Sequence, residues 1–341
     1  MRVVVGSPAL SLFLGGLLAV VALAWVAPEW GVADGPLKTG WLTKAGVVLI
    51  FVAQGLSLPT ETLRLGLANW RLHGFCLLGI FVVFPAMVLP VVWLCRGWLT
   101  AELQIGLVFL AFLPTTISTA VVFTGQAGGD VAGALFNVTL ANVVGILITP
   151  AILAGALAVE TGRSVPLAPL LGQIALLILL PFAVGQMFHG RVKGWVGRHK
   201  AALGHGSNGV ILFIVYAALC ELFAARDAGV LEGAPWVPAL MLCLLFLGGS
   251  RVLAGAVLRR LAWGVETKLA AFFCSTEKTL AAGVPMATLV FEAAGAEVAV
   301  APALVLLPIL LYHPMQLATD SILAQGLAGR WLRRGSEEGL G

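Results

Sequence analysis

Phe272-Phe273-Cys274-Ser275-Thr276-Glu277-Lys278-Thr279-Leu280 sets five consecutive polar residues between two strongly apolar half-segments, with Gly283 and Pro285 just beyond. On the surface of a soluble protein such a run would be ordinary. Here it lies inside an apolar stretch over about residues 265–291, and Lys278 stands 13 residues from either end. A hydrocarbon core of about 30 Å takes roughly 20 apolar residues to cross as a helix, so Lys278 falls near the middle and cannot reach either surface. A charge there costs about 2.5–3.5 kcal/mol on insertion scales unless protein or water compensates it. Glu277 and Lys278 are neighbours, about 100° apart on a regular helix, and so would not face each other. A local break in the helix is the cheaper solution, and breaks at this depth are tolerated only where the freed backbone lines a cavity or is covered by protein.

The rest of the chain supports the membrane reading. Of 341 residues 60% are apolar and only 11% charged, and the mean hydropathy is +1.02. Soluble multidomain proteins, disordered chains, collagen and disulfide scaffolds are excluded by that composition. Five cysteines, Cys76, Cys95, Cys220, Cys243 and Cys274, form no CxxC and carry no metal or redox signature. Hydropathy and turn residues divide the chain into ten spans, at about 8–27, 40–58, 73–95, 103–125, 130–158, 168–188, 207–225, 236–258, 265–291 and 297–324. The first also resembles a secretory signal peptide, since Arg2 precedes an apolar run ending in alanines. Its length favours a span.

Basic residues decide orientation. With the N-terminus on side one, that side receives twelve: Arg2, Arg64, Arg71, Arg191, Lys193, Arg198, Lys200, Arg259, Arg260, Arg330, Arg333 and Arg334. The other receives five, Lys38, Lys44, Arg96, Arg163 and Arg226. Both termini are therefore expected in the cytoplasm of a bacterial inner or plasma membrane, with residues 327–341 as a cytoplasmic tail. The same scatter over short loops excludes a nucleic-acid surface. Lys268 is expected to snorkel from the start of span nine, and Arg251 either to snorkel from span eight or to pair with Glu221 in span seven.

Span four repeats the interruption of span nine. Leu113-Pro114-Thr115-Thr116-Ile117-Ser118-Thr119 places a helix-breaking proline and four hydroxyls near its middle. Ten spans divide into two groups of five, residues 1–160 and 161–326, and an odd number of crossings inverts the second group relative to the first. Interruptions at corresponding positions of an inverted repeat point to the central site of a secondary transporter. Candidate substrate- or ion-binding residues are Thr115, Thr116, Ser118 and Thr119 in span four, and Ser275, Thr276, Glu277, Lys278 and Thr279 in span nine. Asn137 and Asn142 in span five and His313 and Gln316 in span ten complete the set. The asparagines can equally be interhelical glue, and His313 either a proton shuttle or a hydrogen-bonded core residue.

Several of these stretches occur together in one known group. Trp70-Arg71-Leu72-His73, the block from Leu113-Pro114 to Ala127-Gly128-Gly129-Asp130, the block Phe273 to Leu280 with Gly283-Val284-Pro285-Met286, and Leu307-Pro308 with His313 and Gln316 resemble the bile acid:sodium symporter superfamily, in its SBF-like branch. The resemblance implies an all-α polytopic protein of two inverted five-helix repeats. Spans 1, 2, 6 and 7 would form a panel domain and spans 3, 4, 5, 8, 9 and 10 a core, with spans four and nine discontinuous and crossing. It also implies alternating-access transport of a small organic anion, bile-acid-like or another carboxylate or sulfonate. Sodium-coupled members carry a Ser-Asn pair that falls here near Thr119-Ala120, and an acidic ligand that falls at Phe272. The residues that follow it become Thr276, Glu277 and Lys278, so sodium near Ser118, Thr119, Thr276 and Glu277 competes with a proton as the coupling ion. Lys278 is expected to stand in for a bound sodium, either as a fixed countercharge or as a proton carrier with Glu277. No resident cofactor is expected, and oligomeric state is open.

Other classes fit less well. A channel would show like-charged rings or filter loops, and neither is present. An intramembrane enzyme would need HExxH, GxGD or paired carboxylates, and Ala127-Gly128-Gly129-Asp130 misses GxGD at its first position. A membrane regulator of ion homeostasis, calcium included, is the alternative to a transporter.

Overall fold

The computed structural model describes residues 8–33, 35–57, 69–162, 167–224, 236–294 and 300–338. The expectations for Arg2, Arg64, Arg163 and Arg226 lie outside them, as do the side chains of Arg330, Arg333 and Arg334. Every regular element among the described residues is helical. They are α1 (Pro8–Val26), α2 (Thr39–Ser57), α3 (Trp70–Cys95), the pair α4a (Ala101–Phe112) and α4b (Thr119–Gln126), and α5 (Val131–Thr161). After these, α6 runs through Leu167–Ile174, a π-helical turn at Ala175–Leu179 and Leu180–Arg198. Then come α7 (Lys200–Ala224), α8 (Trp236–Arg260), the pair α9a (Val265–Thr276) and α9b (Leu280–Ala294), and α10 (Pro302–Glu338). Seven helices among the described residues are long and apolar enough to cross a membrane. The fourth and ninth expected spans are instead two short helices each.

Helix ends follow local chemistry. Asn69, Thr100 and Asp130 cap α3, α4a and α5 by accepting from the amides of Leu72, Leu103 and Gly133. Gly162, at φ 68°, ends α5 in the left-handed conformation that glycine tolerates. α4a stops because Pro114 forces Leu113 out of the helical region, to φ −63° and ψ 139°. α6 continues to Arg198, ten residues past the expected end at 188, and α7 starts at Lys200, before the expected 207.

The outside of the bundle is apolar. Leu18, Leu94, Leu147, Val159 and Val252 are exposed, and Trp25, Trp30, Trp41, Trp70, Trp93, Trp98 and Trp236 sit exposed at or near helix ends, as aromatic belts do at membrane interfaces. Together with the spans, this makes the chain an integral membrane protein. α1 packs on α7, and α2 on both α6 and α7. A second group forms around α4a, which touches α3, α5 and α10, while α8 packs on α9a and α10. Where α2 meets α6, a Cβ on Gly55 would lie 2.2 Å from the Phe182 carbonyl oxygen, and one on Gly185 2.3 Å from that of Val52. The two backbones therefore touch, the small-residue crossing typical of helices in lipid.

Candidate functional site

The two interruptions meet. The chain is extended at Leu113 and again at Glu277, where φ is −82° and ψ 152°, and the Thr279 amide donates to the Pro114 carbonyl at 2.9 Å. Breaking a helix in lipid leaves carbonyls without amides, and each must find another donor. At the end of α4a the account closes residue by residue. Leu110 accepts from the Leu113 amide, Phe112 from the Thr149 hydroxyl at 2.7 Å, and Thr115 from the Asn142 side chain at 2.9 Å.

Lys278 supplies the rest. Its wholly buried ammonium donates to Ala111 at 2.8 Å, Leu113 at 2.9 Å and Ile80 at 3.1 Å, and lies 4.3 Å from the centre of the Phe84 ring. Ile80 belongs to the π-helical turn Gly79–Val83 of α3. Its carbonyl is free because the Phe84 amide bonds Gly79 and the next residue, Pro85, has no N–H. All three ammonium protons are thus used, on the carbonyl end of α4a where the helix dipole favours a cation, and the aromatic face adds a cation–π contact.

Because the backbone is extended at Glu277, the neighbouring side chain turns the opposite way. The Glu277 carboxylate, also wholly buried, reaches the start of α4b. Its Oε2 accepts from the hydroxyl of Thr116 and, at 2.7 Å, from that of Thr119. Thr116 in turn accepts from the Ala120 amide at 3.1 Å. The two charges of one dipeptide therefore sit at the two ends of a broken helix, each at the end whose dipole suits it. Glu277 Oε1 and the Thr115 hydroxyl find no hydrogen-bond partner among the described residues.

α10 completes the crossing. The Gln316 side-chain amide accepts from the Lys278 amide at 2.7 Å and donates to the Lys278 carbonyl at 3.2 Å, so it replaces a missing peptide group on both sides. His313 Nδ1 stands 3.2 Å from the same carbonyl. The remaining expected residues lie further out. Asn137 bonds His73 at 3.1 Å and the Gly133 carbonyl, away from the break, and Ser118 is exposed. Ser275 and Thr276 both bond back to Phe272, and Thr279 caps α9b at the Ala282 amide.

Arg251 neither snorkels nor pairs with Glu221. It is 7% exposed and forks onto Asp320 of α10, Nε to Oδ1 at 2.9 Å and Nη2 to Oδ2 at 2.7 Å, while Nη1 donates to the Leu247 carbonyl. Glu221 accepts from the Ala33 amide at 2.7 Å instead. A fully hydrogen-bonded fork satisfies the guanidinium inside the protein, which removes any drive towards the surface. Asp320 was readable as an acid four residues beyond Gln316 and seven beyond His313, on the same helix face. Arg251→Met should destabilise the protein by about 3–5 kcal/mol because it strands a buried carboxylate, and adding Asp320→Leu should restore most of that loss. Thermal unfolding of the two variants in detergent measures both; equal melting points would refute it.

Away from the crossing, towards the C-terminal end of α9b, a cavity of about 530 Å³ separates α2 and α7 from α9b and the start of α10. Glu221 and Glu292 are among its walls, and Glu292 pairs with Lys44 of α2 at 2.9 Å.

Three relatives align along most of their length. An uncharacterised Pseudomonas aeruginosa protein is 33% identical over 93% of both chains. The mouse sodium/bile acid cotransporter 7 is 31% identical over 91% of this chain and 90% of its own, and the zebrafish sodium/bile acid cotransporter 7 is 31% identical over 91% of both. Residues 11–329 match the SBF-like CPA transporter family. Two broken helices joined by Lys278 and Glu277 thus lie within a stretch of sequence shared along nearly its whole length, and the chain belongs to the SBF-like CPA transporter family.

Proposed function

We propose that this chain is a secondary active transporter of a small organic ion, working by alternating access and coupled to protons through Glu277. The carrying observation is a carboxylate with no exposed surface, one oxygen on two hydroxyls and the other without a partner among the described residues, at the crossing of two broken helices. Carboxylates buried at this depth serve as proton relays in pumps and transporters. Sodium is the less suited coupling ion. It would have to share the crossing with Lys278, whose ammonium already takes the carbonyl oxygens an alkali cation would use. Lys278 is in this reading the fixed substitute for a bound sodium.

Ten spans arranged as two inverted repeats suit the mechanism, with α1, α2, α6 and α7 as panel and the remaining helices as core. The packing of α2 on α6 and α7, and of α4a on α5 and α10, supports that division. Both termini would lie in the cytoplasm of a bacterial inner membrane, which puts the cavity on the opposite side. The names of the mouse and zebrafish relatives make an organic anion the first class to assay.

The test is uptake of labelled taurocholate, and of other small organic ions, into proteoliposomes under a sodium gradient, a proton gradient, or neither. Uptake that follows the proton gradient and ignores sodium is expected. Uptake driven by sodium alone would overturn the assignment of Glu277 and Lys278.

A further inference from the structure

The cavity between α2, α7, α9b and α10 carries its own charge pattern. Ile214, Leu222, Phe291 and Leu306 give it apolar walls, and about 530 Å³ is the size of a small-molecule site. Two of its three threonine hydroxyls are already used. The Thr39 hydroxyl donates to the Gly31 carbonyl and that of Thr288 to Val284. Lys44, the ammonium at its edge, is engaged by Glu292. α10 begins at this cavity with Pro302, which has no N–H to offer. Glu221, itself exposed, then remains as a carboxylate that no cation balances among the described residues: it accepts from the neutral Ala33 amide. An entering carboxylate or sulfonate would meet repulsion from Glu221. An ammonium group would meet its counterion.

We infer that this cavity recognises an amphipathic organic amine, with the ammonium on Glu221 and the apolar body against Ile214, Leu222, Phe291 and Leu306. The inference rests on the transport reading above and narrows its substrate from an organic ion to a cationic one. Glu221 is then a specificity residue, remote from the crossing and from Glu277.

Phenethylamine and hydrocinnamate, matched in size and opposite in charge, serve as probes. Their binding to the purified full chain in lipid nanodiscs is measured by equilibrium dialysis. The amine is expected to bind at least about tenfold more tightly, the scale of one charge contact in a partly closed site. Glu221→Gln should erase that preference and Glu221→Lys reverse it, with melting points held close to that of the unmodified protein as a check on folding. Equal binding of the two probes, tighter binding of hydrocinnamate or taurocholate, or no binding of either would overturn the proposal. Failure of the coupling reading looks different: amine binding would persist, in the unmodified chain and in Glu277→Gln, while amine uptake ignored the proton gradient.

Discussion

Lys278→Met is expected to be the most damaging single substitution in this protein, lowering stability by about 3–5 kcal/mol and abolishing uptake. Methionine keeps the length of the stem and its contact with Phe84, so the cavity left is small and the loss is chiefly electrostatic. What disappears is the donor for three buried carbonyls, those of Ile80, Ala111 and Leu113, and no water-exposed surface is near to replace it. The end of α4a and the π-helical turn of α3 lose their shared partner at once. Lys278→Arg should recover little, because a planar fork does not match three carbonyls converging on one nitrogen. If the ammonium stands where a relative would bind sodium, adding sodium should raise the melting point of Lys278→Ala, which has room for an ion, and leave that of the unmodified protein unchanged. A Lys278→Met protein that melts normally would remove the structural role, and the absence of any sodium effect on Lys278→Ala would remove the substitution argument alone.

Glu277→Gln should have nearly the opposite profile. The amide oxygen can still accept from Thr116 and Thr119, so the fold should lose only about 1–2 kcal/mol, the difference between a charged and a neutral acceptor. Uptake, in contrast, should lose its response to the proton gradient altogether, because glutamine cannot titrate. Glu277→Asp, shorter by one methylene, should keep a proton response at reduced rate. The measurement is the initial uptake rate in proteoliposomes across a pH series, with the melting curve as control. A Glu277→Gln protein whose rate still follows the proton gradient would place the coupling group elsewhere, and Asp320 would then be the next carboxylate to replace.

The contrast between these variants shows what the sequence could and could not disclose. The polar blocks at 113–119 and 275–279 were legible because hydroxyls and charges stand out against apolar spans, and proline marks the first break. That the blocks touch was implied by the family resemblance, in which spans four and nine cross, and by their corresponding places in the two groups of five spans. The partners of Lys278 were not legible, since two of its acceptors are carbonyls of leucine and alanine and the third depends on Pro85 lacking an amide. The Arg251–Asp320 pair was missed because its members lie on helices 69 residues apart, and a basic residue near a span end reads equally well as a snorkelling one. Gln316 was found, but as a ligand candidate; its use as a substitute peptide group depends on the break at Lys278 having formed. Helix lengths failed in a regular way. Hydropathy reports contact with lipid, whereas the helices of α6 and α7 continue beyond it into polar sequence around Gly190 and His205, where helix formation needs only its own backbone bonds.

The contact of Gly55 with the α6 backbone, and of Gly185 with that of α2, bears on how the molecule can deform. Side chains that interdigitate can exchange rotamers and let two helices slide by small steps, the basis of shear motion. A seam of backbone on backbone has no rotamers to exchange, and the smallest displacement along it drives carbonyl oxygens into α-carbons. α2 and α6 are therefore a single stiff plate. Any displacement during a transport cycle must be taken up at surfaces lined by rotatable side chains, such as Phe291, Leu222 and the Lys44–Glu292 pair, and the plate tilts as a whole or stays still.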